Sequence, residues 1–492
     1  MCIRDRLNFV SRLANKQAVI LDLFGNPYAI DRFSNLDKVH AILVSYEDSD
    51  VAQELSAQLI FGGITAKGKL PVTVNNTFKY GDGLTTAQLR MKYTIPQELN
   101  INYGKLQEID SLIYWAIGQK AFPGCQILAV KDGVVFFEKS YGYHTYKMTE
   151  PVVWDDIYDI ASITKVAATT MALMKLYDEG KFDVYQKMSY YLPELDTTNK
   201  KNIRAIDVLT HRAQLVSWIP FYKRALFKDG SWNPQYLSNR YSEKHNVLVS
   251  KNVYLNGKFH DEVYARILNS DLRPRKNYQY SDIGFYLFWK IIEKQTGMNI
   301  DEYLKKEFYE SLGAYTLGYN PIQNGFSEKK TPPTEYDMSF RKNLVQGYVH
   351  DYGAAVYGGL GGHAGLFSSA NDLAKLFQML LQNGEYAGQN YLKASTIKFF
   401  TTKPFSNSRR CIGFDGTNGS GSGPACGLSS YESYGHTGFT GCIVWADPRY
   451  NFIYIFLSNR IYPDIENKIL IDENIRAKVQ SLLYQSFSYY SN

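Results

Sequence analysis

Over residues 1–77, apolar runs flank one amphipathic stretch. Residues 18–24 are an apolar run closed by the turn Gly25-Asn26-Pro27. Residues 39–46 (VHAILVSY) form a second run, whose lack of alternation predicts a strand buried on both faces. EDSDVAQELSAQLIFGG then predicts a helix, capped from within Asp48 to Asp50, with Val51, Leu55 and Leu59 as its apolar stripe and Gly62-Gly63 as its stop. Residues 78–104 carry Gly, Pro, Thr and Asn without periodicity and read as a linker. From Lys105 the pattern changes: Leu106, Ile109, Ile113 and Ala116/Ile117 recur at helical spacing. QILAVKDGVVFFEKSYGY predicts a hairpin turning at Asp132-Gly133. Helical periodicity returns over 163–180, 283–297 and 371–382, and a second strand pair, CIVWAD and NFIYIFLSN, is separated by Pro448-Arg449-Tyr450. A helix and hairpin at the start and strands at the end predict an α+β domain over 105–485, built on one antiparallel sheet. Two strands and a helix are too few for a complete doubly wound domain, so residues 1–77 read as a partial α/β unit and the chain as one that begins inside a domain.

Composition narrows the function classes. At 492 residues, 45% hydrophobic and 21% charged, the chain can bury a core. The net charge is a mild +6, and no Lys/Arg block is long enough for a nucleic-acid arm, which argues against a polyanion partner. Five cysteines, Cys2, Cys125, Cys411, Cys426 and Cys442, form no C-x-x-C pair, which excludes a disulfide scaffold and a Cys-based zinc site. No apolar run approaches the roughly 20 residues that span a bilayer. GTNGSGSGPACG (416–427) predicts a mobile loop.

Chemistry has one main candidate. Ser162-Ile163-Thr164-Lys165 lies between the β-compatible WDDIYDIA and KVAATTMALMKLYDEGK, a strong helix ending at Gly180. Ser162 then sits at a helix N-terminus, with Lys165 one turn on and on the same face. A Ser hydroxyl needs a base, and a neighbouring Lys serves if its pKa is lowered. The helix N-terminus favours developing negative charge. Three other S-x-x-K spacings (Ser327 with Lys330, Ser339 with Lys342, Ser395 with Lys398) fall in polar or ordinary amphipathic settings and read as caps beside solvated lysines. Tyr280-Ser281-Asp282 precedes the helix IGFYLFWKIIEKQTG. Tyr280 could relay a proton or be one packing aromatic among 40 Tyr; Asp282 could hold a Lys or a substrate amide, or cap the helix. The rival Tyr254-Leu255-Asn256 is explained by a hairpin turn at Asn256-Gly257. His436-Thr437-Gly438 leads into CIVWAD, where a cation or hydroxyl followed by Gly lets a substrate backbone reach a strand edge. His436 could instead be a general base, or the triplet a polar turn. The chain holds no G-x-S-x-G and no H-E-x-x-H, so neither an α/β-hydrolase elbow nor a zinc-protease site is indicated. GGLGGHAGLFSSANDLAK (358–375) lacks the Lys of a phosphate loop and reads as a close-packed loop before a helix capped by Ser369 or Asn371.

The order S-x-x-K, Y-x-(N/D), (K/H)-T-G is far rarer than any one motif. With YDIASITKVAATT, IRAIDVLTHRAQL, YQYSDIGFYLF, GGLGGHAGLFSSANDLAKLFQMLL and YGHTGFTG, residues 105–485 resemble the serine β-lactamase and penicillin-binding-protein superfamily, in its class C-like esterase and peptidase branch. The resemblance implies an antiparallel sheet flanked by a helical subdomain, with the site between them. It makes Ser162 the acylated nucleophile, Lys165 its base and Tyr280 the proton relay. Asp282, His436, Thr437 and Gly438 would be on the substrate side, and the backbone N–H groups of Ser162 and Phe439 would form the oxyanion hole. It implies no cofactor and no metal. The substrates would be small molecules, peptides or glycan material: esters or amides, including D-amino-acid peptides of the cell wall. Its location would be periplasmic or extracellular. The family usually carries Asn where this chain has Asp282, and lactamases often carry Lys where it has His436. Asp282 would raise the Lys165 pKa, and His436 would bind a carboxylate better at about pH 5.5 than at about pH 8.

NPYAIDRF, AILVSYEDSDVAQELSAQLIFGG and GKLPVTV resemble the end of the C-terminal α/β sandwich domain of family 3 glycoside hydrolases. That resemblance implies a fused β-glycosidase or N-acetylglucosaminidase whose catalytic barrel lies earlier in the parent chain. The alternatives to a serine hydrolase are therefore a glycosidase fragment and a lactamase-like binding module without activity.

Overall fold

In the computed structural model the described residues are 3–33, 35–418 and 423–487, so part of the expected loop at 416–427 lies outside them, as does Cys2. The chain divides into two compact units, Met1–Tyr93 and Thr94–Asn492. The division falls inside the stretch expected to be a linker.

The first unit holds α1 (Ile3–Ala14), β1 (Ile20–Leu23), β2 (Ala41–Val44) and α2 (Asp50–Ile60). The strands pair in parallel, Ile20 opposite Ala41. Within the expected cap at Asp48 to Asp50 it is Ser49 that starts α2, accepting the Ala52 N–H. The expected strand over 39–46 is not buried on both faces: no residue of β2 is fully buried. Two short strands offer too little apolar cover, and Val51 and Leu55 of α2 remain exposed.

The second unit opens with α3 (Tyr103–Gly118) and the hairpin of β3 (Gly124–Lys131) and β4 (Val134–Gly142). Its turn puts Asp132 and Gly133 at φ 54° and 75°, the left-handed conformation that Asp-Gly tolerates. The remaining long strands come from the far end of the chain: β5 (Tyr434–Thr437), β6 (Ile443–Asp447) and β7 (Phe452–Ser458). The sheet runs from Asp415–Gly416 through β5, β6, β7 and β3 to β4, and each adjacent pair is antiparallel. The last strand thus docks on the first, from Phe452 opposite Lys131 to Ser458 opposite Cys125.

Between β4 and β5 helices alternate with loops and short strands, and the helices include α4 (Met171–Asp178), α5 (Ile283–Thr296) and α6 (Ala370–Leu381); α7 (Ile475–Gln485) follows the sheet. One sheet face packs on α3 and α7 through Ile109, Ile113, Ile127, Trp445, Phe456 and Leu483. The other receives α6, whose Ala370 N–H bonds to Gln126 of β3. Ser369, not Asn371, caps α6.

Two expected elements differ. The helix over 163–180 is a 3₁₀ turn (Ala161–Ile163), a wide π-helical turn (Lys165–Thr170) and then α4. Asn256-Gly257 joins no hairpin: the strand Val253–Asn256 leads straight into the helix Phe259–Leu268. Phe259, Val263 and Ile267, four apart, bury one face of that helix, while Asn256 Oδ1 accepts the Lys258 N–H.

Candidate active site

Ser162 follows a strained turn. Ala161 has φ 46°, which costs a non-glycine residue roughly 1–3 kcal/mol. The buried carboxylate of Asp159 fixes it, accepting the Ala161 N–H at 2.8 Å and the His350 N–H at 2.6 Å. The π-helical turn beyond Ser162 leaves carbonyls free, and side chains take them: Thr170 Oγ1 bonds to Lys165 O at 2.7 Å and the Tyr309 hydroxyl to Ala167 O at 2.8 Å.

That turn aims Lys165 at Ser162. The Lys165 side chain is fully buried, and Nζ donates to Ser162 Oγ at 2.9 Å and to the His363 carbonyl at 3.0 Å. Asp282 Oδ1 lies 2.7 Å from the same nitrogen. Burial alone depresses the Lys165 pKa, but the Asp282 charge and contact with Tyr280 outweigh it and raise the pKa above that of an ordinary lysine. The Tyr280 hydroxyl meets both Lys165 and Ser162; burial raises its pKa and Lys165 opposes the rise. The ring of Tyr280 lies against that of His211, tilted by 35° with centroids 4.5 Å apart.

The structure therefore brings Ser162, Lys165, Tyr280 and Asp282 into one cluster. Asp282 does not cap α5 with its side chain; Ser281 Oγ accepts the Ile283 N–H instead, at 3.2 Å. The other S-x-x-K serines stand elsewhere: Ser327 caps a 3₁₀ turn, and Ser395 sits in the first turn of the helix Ala394–Thr401.

The His436-Thr437-Gly438 triplet forms the end of β5 and the turn after it. A Cβ at Gly438 would come within 2.5 Å of the Ile160 carbonyl, so glycine is what lets this turn press against the loop carrying Ser162. Next to it the Phe439 N–H has no acceptor among the described residues. Thr437 ends β5 beyond the pairing with Asp415–Gly416, which stops at Gly435.

His436 departs from expectation. Nδ1 lies 2.7 Å from the Thr437 carbonyl, which can only accept, so Nδ1 carries the proton. Nε2 is then an acceptor and faces Arg410 Nη1 at 3.5 Å. Burial, followed by the charges of Arg410 and Lys165, pushes the His436 pKa down to about 3. His436 is neither a cation for a substrate carboxylate nor a free base; it is a neutral ring supporting Arg410.

Arg410, which no sequence motif singled out, is the buried cation here. Nη2 donates to the Tyr278 hydroxyl at 2.9 Å and lies 3.2 Å from Asp415 Oδ2, while Nε has no acceptor among the described residues. Arg409 also engages Asp415, at 2.7 Å, so two guanidiniums share one carboxylate. His211, likewise unmarked, accepts the Ser281 N–H at Nδ1 and is held neutral by burial and Arg410; its Nε2 has no partner among the described residues. His363, whose carbonyl holds Lys165, pairs through Nε2 with Asp351 at 2.8 Å. The signals were present only as RR before a buried run and as His within two quoted stretches.

A family model described as Beta-lactamase matches residues 105–474. The chain belongs to the beta-lactamase family. A Bacillus subtilis (strain 168) protein named N-acetylmuramyl-L-alanine amidase is 33% identical over 386 residues, covering 72% of this chain and 81% of that one. An Escherichia coli (strain K12) protein, provisionally named D-alanyl-D-alanine carboxypeptidase, is 28% identical over 390 residues, 74% of this chain and 84% of its own. A penicillin-binding-protein homologue from Caulobacter crescentus has the same fold, with a TM-score of 0.56 at 16% identity over 78% of this chain and 97% of its own. A class C beta lactamase superposes at a TM-score of 0.53 and 15% identity, covering 77% and 98%. Membership makes this beta-lactamase-family chain a serine hydrolase on an α+β transpeptidase-like fold. No comparison supports the family 3 glycoside hydrolase reading of residues 1–77. Among the described residues no helix is long and apolar enough to cross a membrane.

Proposed function

We propose that this protein cleaves an amide bond in a peptide-type substrate carrying a free carboxylate, through an acyl-enzyme on Ser162. The observation that carries this reading is the surplus positive charge beside the dyad: Arg409 and Arg410 share the carboxylate of Asp415, and Arg410 keeps a buried, unpaired Nε–H. A buried donor without a partner is costly, and a substrate carboxylate would satisfy it. Relatives named for amide cleavage favour an amide over a simple ester.

In this mechanism Ser162 Oγ attacks the carbonyl carbon and releases its proton toward Lys165. The oxyanion is received by the backbone N–H groups of Ser162 and Phe439. Tyr280, in contact with both Ser162 and Lys165, protonates the leaving nitrogen. Water then hydrolyses the ester on Ser162.

The test compares an N-acylated D-alanyl-D-alanine peptide with its C-terminal amide. Loss of a charged hydrogen bond should lower kcat/KM by about 10–100-fold for the amide. Arg410→Gln should remove the difference. A labelled penicillin should leave its adduct on Ser162. Absence of any adduct from acylating probes points to a binding module, and hydrolysis of a chromogenic glycoside would revive the glycosidase alternative. The same reading places the protein in the periplasm or outside the cell, which fractionation of the producing cell tests.

A further inference from the structure

Lys165 Nζ has three N–H bonds and four oxygens around it: Ser162 Oγ at 2.9 Å, the His363 carbonyl at 3.0 Å, Asp282 Oδ1 at 2.7 Å and the Tyr280 hydroxyl. Its side chain is fully buried, so a proton leaving it passes to one of these four. A carbonyl cannot keep a proton, and the hydroxyls of Ser162 and Tyr280 each carry one already. Asp282 remains.

Asp282 is also free to accept it. Apart from the ammonium, Oδ1 has no donor among the described residues, and the side chain does not cap α5.

We infer that Asp282 is a catalytic residue, the terminal proton acceptor of the site, with Lys165 as the conduit from Ser162. This rests on the reading of Ser162 as nucleophile. As Oγ bonds to the substrate carbonyl carbon and the π pair moves to oxygen, the Ser162 proton passes to Lys165 and one Lys165 proton passes to Asp282. Lys165 remains an ammonium and Asp282 becomes the neutral acid. On collapse the C–N bond breaks, Tyr280 gives its proton to the leaving nitrogen, Lys165 replaces it, and Asp282 returns the stored proton to Lys165. A lysine whose pKa is raised can then serve at neutral pH, because it never has to be a free amine.

The other groups facing the pair supply no second acceptor of this kind. Tyr280, whose hydroxyl meets Lys165, has its pKa raised by burial and stays a neutral phenol, and Tyr286 has its pKa raised by burial and by Asp351 and Asp282. His211 and His436 are held neutral, Arg410 is a cation, and Asp351 is taken by His363 at 2.8 Å.

The experiment follows acylation of the full chain by a labelled penicillin or a chromogenic ester between about pH 5.5 and 10, in wild type, Asp282→Asn and Asp282→Glu. Mass spectrometry first checks the adduct on wild-type Ser162; without it, both the nucleophile reading and this inference fall. With the adduct present, Asp282→Asn should acylate about 100-fold more slowly at pH 7, with KM unchanged, and regain rate as alkali frees the Lys165 amine. Asp282→Glu should recover part of the loss. An Asn variant as fast as or faster than wild type at pH 7 would show that Asp282 only holds the ammonium, and would overturn the inference alone. In mixtures of H2O and D2O, wild-type acylation should depend on deuterium fraction along a curve, as two moving protons require. A straight line would also overturn it.

Discussion

Ser162→Ala and Lys165→Ala should each remove nearly all turnover of a chromogenic ester, and the double variant should be little worse than either, because the two act as one unit at 2.9 Å. Ser395→Ala, in the first turn of a helix outside that cluster, should keep the rate within about twofold. His436 makes the opposite kind of statement. An unfolded histidine titrates near 6.5, and in the fold its pKa falls to about 3. The neutral ring's contribution to stability is therefore complete above about pH 6.5 and declines as pH falls toward 3. His211, also depressed, adds a loss of the same sign. Thermal midpoints should drop across that window, and His436→Asn should flatten part of the drop. The ratio of kcat/KM for a carboxylate substrate to that for a neutral ester should stay level from about pH 5.5 to 8, because Arg410 rather than His436 carries the charge. Ser162, Lys165 and Tyr280 could be read from their order along the chain because each opens or enters an element. Arg410, His211 and His363 could not, since their roles arise only when loops far apart in sequence converge on Tyr280 and Lys165.

At the scale of elements, the site depends on the loop before α6. Gly362 O accepts Thr169 Oγ1 at 2.6 Å, and the neighbouring His363 carbonyl holds Lys165. A Cβ on Gly362 would stand 2.2 Å from the Phe285 carbonyl. Gly362→Ala should cost about 1–3 kcal/mol in chemical denaturation and lower kcat more than it raises KM, because it shifts an acceptor of Lys165. The hairpin at Asp132-Gly133 and helices α5 and α6 were legible because local turn chemistry and periodicity agree with the packing there. The π-helical turn was not: its carbonyls are stabilised by Thr170 and Tyr309, the latter arriving from another part of the chain. Asn256-Gly257 was misread because a turn signal does not say whether a strand or a helix follows, and the four-residue spacing of Phe259, Val263 and Ile267 decides it.

For the whole molecule, the core under the sheet begins at Ile101 and draws on α3, the sheet and α7, so a chain beginning at Thr94 retains all of it. That fragment should keep kcat/KM for an ester within about twofold, and removing the exposed Val51, Leu55 and Phe61 should improve its solubility. Failure of the fragment to fold would refute this. The family resemblance of residues 1–77 went unsupported because a two-strand, one-helix pattern is shared by too many α/β proteins to identify one. The docking of β7 on β3 has a consequence during synthesis. The β3–β4 hairpin leaves the ribosome about 310 residues before β7 does. At about 5–20 residues per second, its bare edge waits roughly 15–60 s for the strand that completes it. Over that interval the hairpin is open to pairing with other nascent chains, so slowing translation upstream of β7 should increase aggregation, and a holdase chaperone should reverse the increase.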